Sequence, residues 1–178
     1  MPELPEVETI RRGLAERVTG DRIESVWLSD KPQPFKSPPE VIATALEGAR
    51  IAGVQRMGKH IVIDLERGDV ESRNPGSDGF TQWIVHLGMT GSVQVTSAAA
   101  ELLKHTHAVA RLASGRELRF VDPRRFGRMW VTDGFETGGV EPLHIRLEEF
   151  VPLFRRRNTP IKSALLNQKL PLPSSRML

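Results

Sequence analysis

The residues best able to do chemistry stand at the start of the chain. Pro2, once Met1 is removed, carries a free secondary amine, and Glu3 and Glu6 lie beside it at helical spacing. An α-amino group has an ordinary pKa of about 8, and the positive end of a helix just behind it lowers that value. The unprotonated amine is a nucleophile for an aldehyde-level carbon such as a sugar C1′. The cationic iminium that results drains electrons from the neighbouring carbon and permits elimination. A carboxylic acid alongside can hand a proton to the sugar ring oxygen or to a leaving group. The same acids also have a structural reading, in which they complement the helix dipole.

Two turns have unusual content. His86-Leu87-Gly88-Met89-Thr90-Gly91 sets a flexible apolar side chain at a glycine-flanked tip, and Asp122-Pro123-Arg124-Arg125-Phe126-Gly127 sets two arginines and a phenylalanine at another. An apolar wedge beside guanidinium groups can enter a base stack, fill the gap left by an extruded nucleotide and hold the orphaned partner base. The structural alternative is a pair of hairpin turns with an Asp–Arg ion pair and a core-facing Phe126. Lys59, after Gly58 at a strand start, suits proton transfer or phosphate binding, or plain surface. His105 and His107 read as an H-x-H on one strand face; without an evident third ligand they favour phosphate contact or surface polarity over a metal.

The elements that must position these groups follow from periodicity. Leu4, Val7, Ile10, Leu14 and Val18 recur at steps of three and four, which predicts an amphipathic helix over 3–19 stopped by Gly20. From there to about residue 132 the period is two, with strands expected at 22–28, 50–57, 59–66, 80–87, 91–96, 106–113, 116–122 and 127–132. Their turn-rich spacing argues for a mainly β fold with some α: an eight-stranded antiparallel β-sandwich carrying an N-terminal helix. The proline-rich stretch 31–39 leads to a short helix at 40–47, and the polar segment 66–79 is expected to be a hairpin tip. Helical patterns return after residue 145, at 147–154 and at 160–169, where Asn158-Thr159-Pro160 reads as a cap followed by proline in the first turn. The expected domains are therefore a sandwich over 1–145 and the start of a helical domain over 146–178.

Composition narrows the classes. The 178 residues carry 25 Lys+Arg against 22 Asp+Glu, and 39% hydrophobic with 26% charged residues is ordinary globular usage, which excludes wholesale disorder and a collagen-like fibre. No apolar run approaches the roughly 20 residues of a membrane span and no signal-peptide pattern opens the chain, so a soluble cytoplasmic protein is expected. With no cysteine, disulfides, thiolate-ligated zinc and thiol nucleophiles are all excluded. The stretch from Lys104 to Arg128 holds Arg111, Arg116, Arg119, Arg124 and Arg125 against only Glu117 and Asp122, and Arg155–Arg157 forms a second basic run. Arginine-rich concentration of this kind attracts a polyanion such as a phosphodiester chain, or forms a solvated basic face.

PELPEVETIRRGL at 2–14, GKH at 58–60, HLGMTG at 86–91, KHTH at 104–107, DPRRFG at 122–127 and TPIKSALLNQK at 159–169 closely resemble, in order and spacing, the bacterial formamidopyrimidine-DNA glycosylases. The resemblance implies a bifunctional base-excision repair enzyme. Such an enzyme removes 8-oxoguanine and formamidopyrimidines from damaged double-stranded DNA and then cleaves the abasic site by β- and δ-elimination. Carried over by position, it implies Pro2 as the Schiff-base nucleophile, Glu3 as proton donor with Glu6 in support, and Lys59 as the proton donor for β-elimination. It implies DNA contacts from His86, Met89, His105, Arg124, Arg125, Phe126, Arg157 and Lys162, with Met89, Arg124 and Phe126 filling the stack and Arg124 reading the opposite cytosine. A monomer associated with the bacterial nucleoid is expected.

Family members continue for roughly another hundred residues, through a helix–two-turn–helix and a four-cysteine zinc hairpin. Here the match gives way after Lys169 to LPLPSSRML, which predicts a truncated helical module, as a frameshift or premature stop would leave, and no cofactor from this chain. Impaired activity is expected on that reading. The alternatives are a non-catalytic DNA-binding remnant and an inactive product of a frameshifted gene.

Overall fold

A computed structural model describes residues 2–67, 80–136, 145–155 and 158–165, leaving aside the side chains at 80 and 165. The chain divides into two compact units, Met1–Phe135 and Glu136–Leu178.

The first unit opens with α1 (Leu4–Val18). Its predicted stripe is its packed face, with Val7, Leu14 and Val18 buried and Ile10 resting on the core. The helix stops where Gly20 takes φ +87° and donates its N–H to the Ile51 carbonyl at 2.8 Å. Eight strands follow: β1 (Ile23–Leu28), β2 (Arg50–Met57), β3 (His60–Glu66), β4 (Phe80–His86), β5 (Ser92–Ser97), β6 (Thr106–Leu112), β7 (Arg116–Val121) and β8 (Arg128–Thr132), with α2 (Pro39–Leu46) between β1 and β2. They form two antiparallel four-stranded sheets, β1-β6-β7-β5 and β2-β3-β4-β8. Alternate residues such as Ile61, Ile63, Trp83, Leu118, Phe120 and Met129 fill the space between the sheets, so the period-two signal reports the real interior. The segment expected as a hairpin tip lies, from residue 68 on, outside the described residues.

The topology has one consequence for the site. β2, β3, β4 and β8 bring Met57, His60, His86 and Arg128 to one end of their sheet through the pairs Met57↔His60, His60↔His86 and His86↔Arg128. In the other sheet Ser92, Val121 and Thr106 line up in the same way. The connections β4→β5 and β7→β8 both cross from one sheet to the other, and both do so at that end. The two unusual turns are therefore crossovers between sheets, not hairpins.

In the second unit, α3 (Leu147–Phe150) passes directly into a 3₁₀ turn (Val151–Phe154), and α4 spans Ile161–Leu165. The single helix expected over 147–154 is split because Pro152 has no N–H with which to continue the α-helical ladder. The rings of Phe150 and Phe154 meet at 4.8 Å. Residues 166–169 of the expected last helix lie outside the described residues.

One polar contact fixes α1 to the sandwich. Arg56 on β2 buries its guanidinium, with its side chain 1% exposed, and pairs with Glu8 at 3.0 Å; Arg11 and Arg12 hold the same carboxylate. The bond from Arg11, joined by those from Arg12 and Arg56, lowers the Glu8 pKa to about 2 despite the opposing effect of burial. A group with a depressed folded pKa stabilises the fold above its unfolded value, here the ordinary 4.5, and loses that contribution as the pH falls toward about 2. Glu8→Gln should therefore cost about 3 kcal/mol at pH 7, and the deficit should shrink as the pH is lowered through this window. Urea denaturation of both proteins at a series of pH values checks this.

Candidate active site

Glu3, next to Pro2, meets the β2–β3 turn at the end of the sandwich just described. Pro2 is half-buried and Glu3 is the N-cap of α1. The Glu6 carboxylate accepts the Glu3 N–H at 2.8 Å, so Glu6 spends its charge on the helix start. The Glu3 carboxylate, 69% exposed, lies 3.5 Å from the Lys59 ammonium, which projects from the β2–β3 turn. Gly58 makes that turn with φ +59°, and Arg56 donates to its carbonyl at 2.8 Å. Arg56 thus holds both α1, through Glu8, and the turn that carries Lys59. The chain start, a carboxylate and an ammonium are brought together on supports that do not depend on an exposed salt bridge.

The two crossovers pack backbone against backbone. A Cβ on Gly88, where φ is +65°, would lie 2.5 Å from both Gly127 N and Phe126 C. A Cβ on Gly127 would lie 2.6 Å from the Phe120 ring. Only glycine allows this approach. Asp122, wholly buried, joins the tips. Its carboxylate accepts from Thr90 Oγ1 at 2.6 Å, from Gly127 N at 2.7 Å and from Arg124 N at 3.2 Å. Burial pushes its pKa up, but the bonds from Thr90, Gly127, Arg124 and Arg125 outweigh this and hold the carboxyl below the usual aspartate range.

This scaffold leaves the wedge side chains outward. Met89 is 46% and Phe126 48% exposed, and the Arg124 guanidinium stands 4.9 Å from the Phe126 ring centre. Among the described residues, neither the ion pair nor the core-facing Phe126 of the structural alternative is formed. Arg125 differs from Arg124: it takes φ +56° and turns its guanidinium to Gln33 at 3.2 Å. Arg128 covers the carbonyls of Arg125 and Gly127 at 2.9 and 2.7 Å.

His86 lies between the two groups of residues. Its Nδ1 accepts the Gly88 N–H at 3.2 Å, so the neutral ring carries its proton on Nε2. Its ring is 4.9 Å from that of His60, which in turn meets Trp130 and Phe135 edge-on, while the Lys36 ammonium covers Trp130 at 4.3 Å. Burial, joined by the charges of Lys36, Lys59 and Arg128, pushes the His86 pKa down; burial, joined by His86 and Lys36, does the same to His60.

Several expectations are corrected. His105 and His107 do not share a strand face. A register shift between Thr106 and Ala108 turns His107 inward, where it is 4% exposed and spans Ser29 Oγ (3.2 Å) and the Asp122 carbonyl (3.0 Å). His105 stays exposed with φ +67°, its carbonyl accepting the Asp122 N–H at 3.0 Å. The basic stretch is not one face either. Arg119 is buried against Glu117 at 2.7 Å and the carbonyls of Ala100 and Glu101, Arg111 pairs with the same glutamate, and Arg116 reaches Asp21 at 3.6 Å. Lys162 lies exposed on α4 in the second unit, and Arg157 falls outside the described residues. Sequence reasoning missed Thr90, Asp122, His107 and Gln33 as supports of the site. The Asp-Pro start of the second turn was a usable signal for Asp122. Among the described residues no cluster of three or more His, Asp or Glu side chains could hold a metal. No helix of the described residues is long and apolar enough to cross a membrane.

Comparison with known proteins supplies an independent finding. The family model for the formamidopyrimidine-DNA glycosylase N-terminal domain matches residues 1–129. A formamidopyrimidine-DNA glycosylase of Herpetosiphon aurantiacus is 37% identical, the match covering 96% of this chain and 61% of the relative. One from Stutzerimonas stutzeri is 39% identical over 85% of this chain and 49% of the relative. Among solved structures, the Lactococcus lactis Fpg in complex with abasic-site DNA matches with a TM-score of 0.73 at 29% identity, covering 96% of this chain and 62% of that one. The chain spans about half to three fifths of the length of these relatives.

Two outcomes follow from this geometry. Gly88→Ala should lower the unfolding free energy by about 2–3 kcal/mol, because a Cβ meets backbone rather than a yielding side chain; a denaturation midpoint equal to the parent's would refute the close approach. In an NMR titration both His60 and His86 should protonate below 6.5. With folded pKa values depressed, the stability that they contribute is present above 6.5 and is lost as the pH falls through those values.

Proposed function

The chain belongs to the formamidopyrimidine-DNA glycosylase family, and we propose that it excises oxidised purines from duplex DNA and cleaves the abasic site that results. The observation that carries the proposal is the placement of the Pro2 end, through the Glu3–Lys59 pair, at the same end of the sandwich as the Met89 and Arg124–Phe126 tips. Amine, acid and ammonium serve the sugar there, and the wedge serves the stack.

The chemistry runs on this chain's residues. The neutral Pro2 nitrogen attacks C1′ of the damaged nucleoside and the bond from C1′ to the base breaks. The base leaves with the bonding pair and takes up the proton that the Pro2 nitrogen gives up, while Glu3 supplies a proton to the sugar ring oxygen as the ring opens. The iminium acidifies the C2′ hydrogen. Loss of that proton expels the 3′ phosphate as Lys59 supplies a proton, a second elimination expels the 5′ phosphate, and water releases the sugar fragment from Pro2. Glu6 supports by holding the helix start.

Met89 and Phe126 fill the space vacated by the extruded nucleotide, and Arg124 reads the opposite cytosine. His86, neutral and with Nε2–H free to donate, contacts a phosphate, as do His105, Arg125 and, from the helical segment, Arg157 and Lys162. Arg125 does so less freely than Arg124, since Gln33 already engages it. The sandwich is the catalytic domain and residues 146–178 begin a helical DNA-binding domain. The partner is damaged double-stranded DNA, met by a monomer in the bacterial cytoplasm at the nucleoid, with no membrane involved. This sequence has no cysteine, so no step is assigned to a thiolate-held zinc.

Borohydride reduction in the presence of abasic-site duplex should trap a covalent adduct, and mass spectrometry of the digest should locate it on the Pro2 nitrogen. Acetylation of that nitrogen should abolish trapping. Salt-sensitive binding to the duplex with no adduct, from protein shown to lack Met1, would instead identify a non-catalytic DNA-binding module.

A further inference from the structure

We propose that Thr90 is a positioning residue: its hydroxyl, bonded to the buried Asp122 carboxylate, latches the Met89 tip to the Arg124–Phe126 tip so that the two enter DNA as one rigid body. The inference rests on the proposed function, in which both tips enter the base stack.

The two tips are held very differently. Asp122 is secured at every polar atom: its N–H goes to the His105 carbonyl at 3.0 Å, its carbonyl receives His107 at 3.0 Å, and its carboxylate collects the Gly127 and Arg124 amides. The second tip is thus tied to its own sheet before the first tip is considered. Among the described residues, the backbone bonds of the first tip are local, from Gly91 N to the Leu87 carbonyl at 2.9 Å and from Gly88 N to His86. Among the described residues, its side-chain hydrogen bond to the second tip is the one from Thr90 Oγ1 to Asp122 at 2.6 Å. Thr90 follows Met89 directly, so a force on the wedge reaches the Asp122 node through one residue. The Gly88–Gly127 approach fixes how close the tips lie but supplies no directional bond between them. A hydrogen bond to an ionised, buried acceptor is strong and directional, which a latch requires.

Rigid coupling has a signature that plain stabilisation lacks. If the tips enter together, removing either wedge side chain prevents both from entering, and removing the second costs little more. If they enter independently, the two losses multiply. The experiment is a double-mutant cycle of Met89→Ala and Phe126→Ala on the 178-residue chain, read as the single-turnover rate of borohydride-trapped adduct on abasic-site duplex. It is repeated in a Thr90→Val background and in a Thr90→Ser background, the latter keeping the hydroxyl. In the parent and T90S backgrounds each single change should slow trapping about 10-fold and the pair by less than about 30-fold; with T90V the pair should approach about 100-fold relative to T90V alone.

Equal coupling in the parent and T90V backgrounds, or T90S behaving as T90V, would overturn the latch. Thr90 is exposed, and T90A removes the same donor without bulk, so it takes the place of T90V if circular dichroism shows that T90V is unfolded. A parent that forms no adduct refutes the proposed function itself, a result distinct from a parent that traps normally with uncoupled tips.

Discussion

The buried carboxylate of Asp122 is the constraint on which the site depends. An ionised group with no exposure to water is tolerated only where donors replace its hydration. Thr90 Oγ1 and the amides of Gly127 and Arg124 supply them, and none of these donors can be placed unless both crossovers take their observed paths. The cost of leaving the charge unsatisfied therefore stabilises the loop geometry. Positive φ at Arg125 and at His105, on either side of this node, is the backbone expense of that arrangement, accepted because neighbouring hydrogen bonds leave no cheaper path.

A second anchor, independent of the first, brings the chain start to the same place. Glu8, Arg56 and Gly58 form a line from α1 to the β2–β3 turn, so the helix that begins at Leu4 and the lysine that faces Glu3 share one buried guanidinium. Between the anchors lies His86, whose tautomer is set by the Gly88 amide and whose neutrality is favoured by burial and by Lys36, Lys59 and Arg128. It adds a hydrogen-bond donor to an already cationic surface without adding a charge. The exposed groups thus rest on buried polar contacts. This arrangement suits a reaction that needs a nucleophile, a proton donor and a wedge held in fixed relation.

Much of this was legible in the sequence, and the limits are physical. The strands were readable because Ile61, Ile63 and Leu65, like Leu118 and Phe120, recur at period two and line the space between the sheets, although Val62 is apolar and buried as well. α1 was readable because Val7, Leu14 and Val18 obey helical spacing. Pro2, Lys59, Met89 and the Arg124–Phe126 turn stood out through unusual residue types. What was not legible depends on partners far apart in sequence. His107 looked like half of a surface pair because period two assigns it a face, and only a one-residue register shift sends it inward to the Asp122 carbonyl. Thr90 and Asp122 are 32 residues apart, and nothing local announces their bond. Arg111, Arg116 and Arg119 looked like a polyanion surface until Glu117 and Asp21 accounted for them.

Native-state hydrogen exchange at the Gly127 amide tests the central claim most directly, because that N–H donates to Asp122 at 2.7 Å and reports whether the tips are held before any DNA arrives. If the carboxylate holds both crossovers in place, the opening free energy measured there equals that of global unfolding and matches the value for core strand amides such as Ile63. Exchange through a low-energy local opening, orders of magnitude faster than in the strands, would mean that the tips open independently of the fold and would contradict the account.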